Sequence, residues 1–281
     1  MATTTYRGAE IATERARRDW RGIVFSAVSA LIALFLLKAV APLLLAPWTV
    51  AGPATPHYTP ELHRWHHADI SALVGLLICG SLLAALPRPR RAPLLTQFVL
   101  LASGLLALAC VYPFRPSTLI PAVAVIALVV AAYPDRRALL AFSREGSTSR
   151  PLLALAVAAA VPLLLNAWAN LRLQYTDVSQ HARDNHWLGS VALALALIVA
   201  GLLAATGRPG WRALGVITGG AYLYLGATAL SIPTHDGSWG LTGGVLALLG
   251  GAAYLALTAL EARRGRPAAQ PAPYDPAPSR P

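Results

Sequence analysis

The feature that most constrains this chain is a stretch it carries twice. Residues 42–69 read PLLLAPWTVAGPATPHYTPELHRWHHAD, and 120 positions later the chain reads PLLLNAWANLRLQYTDVSQHARDNHWLG. Pro42, Leu43, Leu44, Leu45 and Trp48 recur without a gap as Pro162, Leu163, Leu164, Leu165 and Trp168, and His66 recurs as His186. The register extends further: SLLAALPRP at 81–89 matches GLLAATGRP at 201–209 at six of nine positions, and Pro113 matches Pro233. Leucine and alanine matches mean little in so biased a composition. Shared prolines, a tryptophan, an Arg-Pro pair and a histidine in one register mark a duplication.

What is duplicated is a set of membrane-length segments. The chain of 281 residues is 56% hydrophobic and 12% charged, against roughly 25% charged in soluble domains. A helix needs ~20 apolar residues to cross the hydrocarbon layer, where every backbone group must bond within its own segment. Eight such runs occur, near 22–46, 67–86, 94–112, 117–133, 151–171, 187–206, 214–231 and 240–260. The expected fold is therefore an all-α polytopic membrane protein, with eight transmembrane helices as two parallel four-helix repeats. An even number of spans per repeat gives both halves the same orientation and a pseudo-two-fold axis along the membrane normal. Near that axis His66 and His186 approach each other.

The domain boundaries follow: a cytosolic tail over 1–21, repeats over 22–133 and 151–260, a cytosolic linker over 134–150, and a disordered carboxy-terminal tail over 261–281. Of the 22 arginines, 18 fall in the two tails and in the alternate connections 87–93, 134–150 and 207–213. That is the positive-inside bias of a plasma-membrane protein with both termini cytoplasmic. It also accounts for the net charge of +11 without nucleic acid, since no basic face interleaved with aromatics exists beside it. The lipid bilayer is the expected partner; nothing in the sequence speaks to oligomeric state. Cys79 and Cys110 lie several turns apart in depth, which disfavours a disulfide.

The Leu45-Ala46-Pro47-Trp48 step resembles the Ser-Pro-Trp signature of the SPW-repeat family of small membrane hairpins, departing from it at the serine. The resemblance covers these few residues and implies no activity.

All seven histidines fall in the outer connections or at their helix junctions: His57, His63, His66, His67, His181, His186 and His235. Thr59, Pro60 and Glu61 read as a helix start, which places His63 and His67 four apart on one face with His66 and Asp69 beside them. Neutral imidazoles one turn apart bind zinc, copper or iron. His63, His66, His67, His186 and His235 are the expected metal ligands, and a haem between His66 and His186 is a narrower version of that reading. The alternatives are a histidine-lined polar pocket without metal, for substrate or proton transfer, and interfacial histidines that meet head groups and loop carbonyls.

Polar pocket candidates are Lys38, Asp69, Asn166, Asn170, Asp184 and Asp236. Lys38 is the one charge deep in a predicted span; it either extends toward the interface or faces the bundle interior. Asn166, Asn170 and Gln174 form a polar stripe on segment five, and Gly215 with Gly219 and Gly240 with Gly244 are expected at close helix contacts. No aspartate or glutamate falls inside a predicted span, which argues against a carboxylate-coupled transporter. No phosphate-binding loop, His-Glu-x-x-His or Gly-x-Ser-x-Gly elbow occurs. Three functions remain: a metal-dependent membrane enzyme or metal- or haem-handling protein, a permease for a small neutral or weakly charged solute, and a non-catalytic assembly partner.

Overall fold

The computed structural model describes residues 3–49, 63–87, 93–112, 114–140 and 147–264, with side chains from Trp20 onward. His57, the Thr59-Pro60-Glu61 helix start, most of the 87–93 connection and the tail beyond 264 lie outside the described residues. Among those described there is no strand. Six helices are long and apolar enough to cross a membrane.

Helix α1 spans Thr3–Leu44, with its apolar part over Trp20–Leu44; the basic amino-terminal stretch continues as its first turns. Next come α2 (Arg64–Ala85), α3 (Pro93–Ala109), α4 (Pro116–Ala132) and the short α5 (Arg136–Leu140). The second half holds α6 (Arg150–Thr176), a single turn α7 (Gln180–Arg183), α8 (His186–Ala205), α9 (Trp211–Ser231) and α10 (Gly240–Arg263). Helices α3 and α4 have 17 residues each, short of the ~20 that an untilted span needs.

Helix order is the same in both halves. In the first, α1 and α3 each pack against α2 and α4; in the second, α6 and α9 each pack against α8 and α10. The halves meet through α2, α3, α8 and α9. Accordingly 72% of the apolar window of α2 is buried but only 22% of that of α6, whose outer face carries exposed Val157, Val161, Leu165 and Trp168. An apolar exterior of this kind suits lipid rather than water.

Helix α2 is not uniform. Residues Ser71–Cys79 are π-helical, a widened geometry rare in proteins and concentrated at functional sites. It lies directly after His63, His66, His67 and Asp69 in the chain, so it sets the direction in which that first turn faces. Both prolines expected to kink helices, Pro42 and Pro162, lie inside α1 and α6.

Glycine brings α9 and α10 into backbone contact. A Cβ on Gly251 would stand 2.8 Å from the Gly219 carbonyl oxygen, and one on Gly226 2.9 Å from that of Gly244. Gly219 and Gly244 thus serve as the sequence suggests, while Gly240 does not: it opens α10 at a φ of 67°. Gly251→Ala is expected to lower stability by about 1–3 kcal/mol through overpacking. Gly250→Ala, with nothing within 4 Å of the added carbon, leaves it unchanged. Thermal unfolding of both variants in detergent micelles, followed by tryptophan fluorescence, checks the contrast.

The apolar spans contain two buried acids, contrary to the expectation of none. Asp69 lies in α2 and Glu261 in α10, each at 5–6% exposure. Glu261 accepts from Ser149 (3.1 Å) and from Arg264 (3.0 Å) at the end opposite the histidines. The run read from hydropathy over 67–86 already contains Asp69, and the run over 240–260 stops one residue short of Glu261, which α10 includes. The absence of a span carboxylate therefore no longer counts against a transporter.

Candidate metal centre

Two chain entries at one end of the bundle bring the imidazoles together. The first turn of α2 presents His63, His66 and His67 at spacings of three and four, hence on one side. Arg64 donates to the Ala46 carbonyl (3.2 Å) and to that of Pro47, anchoring the turn to the end of α1. The second entry is a compact reversal. Ser179 accepts from the His181 amide (3.2 Å) at the start of α7, and Asn185 takes the left-handed region at φ 62° to begin α8. Asparagine tolerates that region better than most residues. The reversal turns His181 back toward His186.

Four imidazoles then pack as one group. Ring centroids of His66 lie 4.7 Å from His186 and 4.8 Å from His181, and those of His63 lie 4.9 Å and 5.0 Å from the same two. His67 sits at the edge, 6.3 Å from His63. One ring nitrogen from each of His63, His181 and His186 falls within 4.8 Å of the others. His63, His66 and His181 are buried at 2%, 5% and 7% exposure. The Trp187 indole packs on His66 and His181 (5.0 Å and 5.4 Å) and donates to Asp177 (2.9 Å). Asp177 also accepts from the Ser179 hydroxyl, and that bond, with the Trp187 bond, holds its carboxyl below the usual aspartate range.

A second polar layer lies one helical turn deeper. The Ser190 hydroxyl, four residues after His186, donates to Asp69 Oδ2 across the α2–α8 contact. Asp69 Oδ1, both ring nitrogens of His66 and Nδ1 of His186 are buried and take no hydrogen bond. Each buried polar atom left so costs about 1–3 kcal/mol, which points to a ligand. Beside this layer is a cavity of about 290 Å³, bordered by His66, His67, Asp69, Cys110, Asp184 and His186.

The residues fit a transition metal. Three imidazole donors match a common ligand set. Nitrogens sharing a tetrahedral ion at about 2.0–2.1 Å stand ~3.3 Å apart, so the three rings would have to rotate inward to share one. They do not fit a haem between His66 and His186: those rings stack at 24° with 4.7 Å between centroids, leaving no room for a macrocycle.

The other sequence candidates disperse. His235 lies within electrostatic reach of His66 on the turn whose Gly237 abuts Trp65, Trp187 and His66, but its ring contacts the Asp236 backbone carbonyl (3.2 Å). The Asp236 side chain is exposed. Asp184 borders the cavity and pairs with Arg115 (3.0 Å). Lys38 is exposed on α1 and borders none of these features. Asn170 donates to Asn166 (3.1 Å to the side chain), and Asn166 borders a separate apolar groove of α6, α9 and α10; neither reaches the imidazoles. His181 and Ser190 belong to the centre although the sequence reading did not select them. The signal available for Ser190 was its i+4 spacing from His186 on one helix face.

No protein-family model, curated protein or solved structure matches the chain.

Proposed function

We propose that this is an eight-span membrane protein of two parallel four-helix repeats, with both termini cytoplasmic, and a metal-dependent enzyme whose transition-metal centre lies at the extracytoplasmic face. The observation that carries the reading is the convergence of His63, His181 and His186 donor atoms within 4.8 Å. The repeat reading is supported by the 120-residue register together with the equal packing order of the two halves, which puts the His66–His186 pair where a two-fold axis would pass. Spanning by α3 and α4 is supported by their apolar composition and their place in that order. Arginine placement supports the orientation.

His63, His181 and His186 would hold a zinc, iron or copper ion, which would supply Lewis-acid chemistry toward a water or carbonyl there. The chain's own contribution is a buried, shaped surround. Trp187 fixes the His66 and His181 rings, the Asp69–Ser190 bond joins α2 to α8 beneath them, and the adjoining cavity admits a small polar molecule. The imidazoles, Asp69 and the adjoining cavity gather at one end of the bundle, which favours an enzyme over a permease. The experiment is metal analysis by mass spectrometry on purified chain from cells grown with zinc, iron and copper. At least one ion per chain is expected, with no haem absorption band. A chain free of transition metal overturns the reading, and a stoichiometric haem overturns the steric argument.

A further inference from the structure

We infer that the centre is dinuclear, with His66 and Asp69 holding a second transition-metal ion on the cavity side of the first. The inference rests on the metal reading above and goes beyond it in ligand inventory. One ion accounts for His63, His181 and His186. It leaves His66 and Asp69, each only 5% exposed, with both imidazole nitrogens buried and without a hydrogen bond and Asp69 Oδ1 buried with only the Trp65 indole near the carboxyl.

These two residues are three apart on α2, the spacing at which a histidine and a carboxylate project together from one helix and chelate a shared ion, as in di-iron carboxylate bundles. Both border the same cavity, as does His67, which supplies a third donor. The remaining coordination positions open into that cavity. Paired ions in enzymes stand about 3.5–4 Å apart. The His66 ring lies 4.7 Å and 4.8 Å from the rings of His186 and His181, so the two sites would be neighbours within one cluster. A carboxylate contributed by Asp69 also offsets the charge that a second cation adds among neutral imidazoles. Bonding of Oδ2 to Ser190 orients the carboxyl so that Oδ1 is the ligand atom.

The test counts zinc per chain in the purified full chain after zinc loading and removal of excess. Wild type is expected to hold two equivalents. Asp69→Asn, which keeps the shape and can still accept from Ser190, and His66→Asn are each expected to hold one. Ser190→Ala removes the bond that orients the carboxyl but leaves the ligand itself, and is expected to bind the second ion about 10–100-fold more weakly than wild type while keeping the first. Cobalt(II) loading gives a second readout, a spin-coupled pair in wild type and an uncoupled ion in Asp69→Asn. One equivalent in wild type, lost in His181→Ala but kept in Asp69→Asn, overturns the second site and leaves the first. Two equivalents in Asp69→Asn overturns the assignment of Asp69. No zinc in wild type overturns both readings.

Discussion

The double variant His181→Ala/His186→Ala is expected to lose the first metal ion altogether, and each single variant to bind it at least about 100-fold more weakly. Altering residues that merely orient a ligand costs 10–100-fold in affinity, and here a ligand itself is removed. The two rings come from opposite sides of one tight reversal, α7 and the start of α8, so no neighbouring imidazole substitutes without moving that reversal. The loss is visible as stability. Binding to the folded state alone adds about 2.7 kcal/mol at a ligand concentration one hundred times Kd. Wild type should therefore melt higher with added zinc than after chelation, and the double variant should melt alike in both. Retention of the zinc-dependent shift in the double variant would remove His181 and His186 from the centre. Competition with protons gives the same answer from another direction, because metal-bound imidazoles must be deprotonated: occupancy falls as pH is lowered.

Trp65→Ala is expected to cost about 3–5 kcal/mol, the range for deleting a fully buried large aromatic. Trp65 has no exposed surface. It packs against Trp239 with 5.7 Å between ring centroids, against Ala229 and Ile232, and beneath Gly237, whose added Cβ would stand 3.0 Å from its ring. This cluster joins the first turn of α2 to the α9–α10 connection, next to His66, with the Trp65 indole also close to the Asp69 carboxyl. Trp65→Phe keeps most of the apolar contact and should cost less than half as much. Thermal unfolding of the two variants, each with zinc and after chelation, separates packing from ligation. A pure packing role lowers both melting temperatures equally.

The parts of this fold that rest on long apolar runs were legible in the sequence. Eight segments read from hydropathy correspond to eight helices, within a few residues at most ends, because burial of apolar surface and internal backbone bonding leave few alternatives. The widened Ser71–Cys79 turn was not legible, since π-helical pairing has no composition of its own. At the site, His66 and His186 stood out through the repeat. His181 did not, because it matches Glu61 in that register and lies on a helix of one turn, whose orientation is set by Asn185 and Ser179 rather than by periodicity. Asp236 misled for a related reason: the turn through Gly237 presents a backbone carbonyl to His235 and leaves the carboxyl outside. Asn166 and Asn170 obeyed their spacing, but the partner each found was the other.

The division of ligands between the halves has a consequence for how the protein is made. His63 comes from the first half, and His181 and His186 from the second. A ribosome that has inserted only the first half has therefore produced no complete binding site. On the proposed reading, ion capture would be the last event of maturation, after both halves have docked, and the ion would act as a clasp that reports correct pairing.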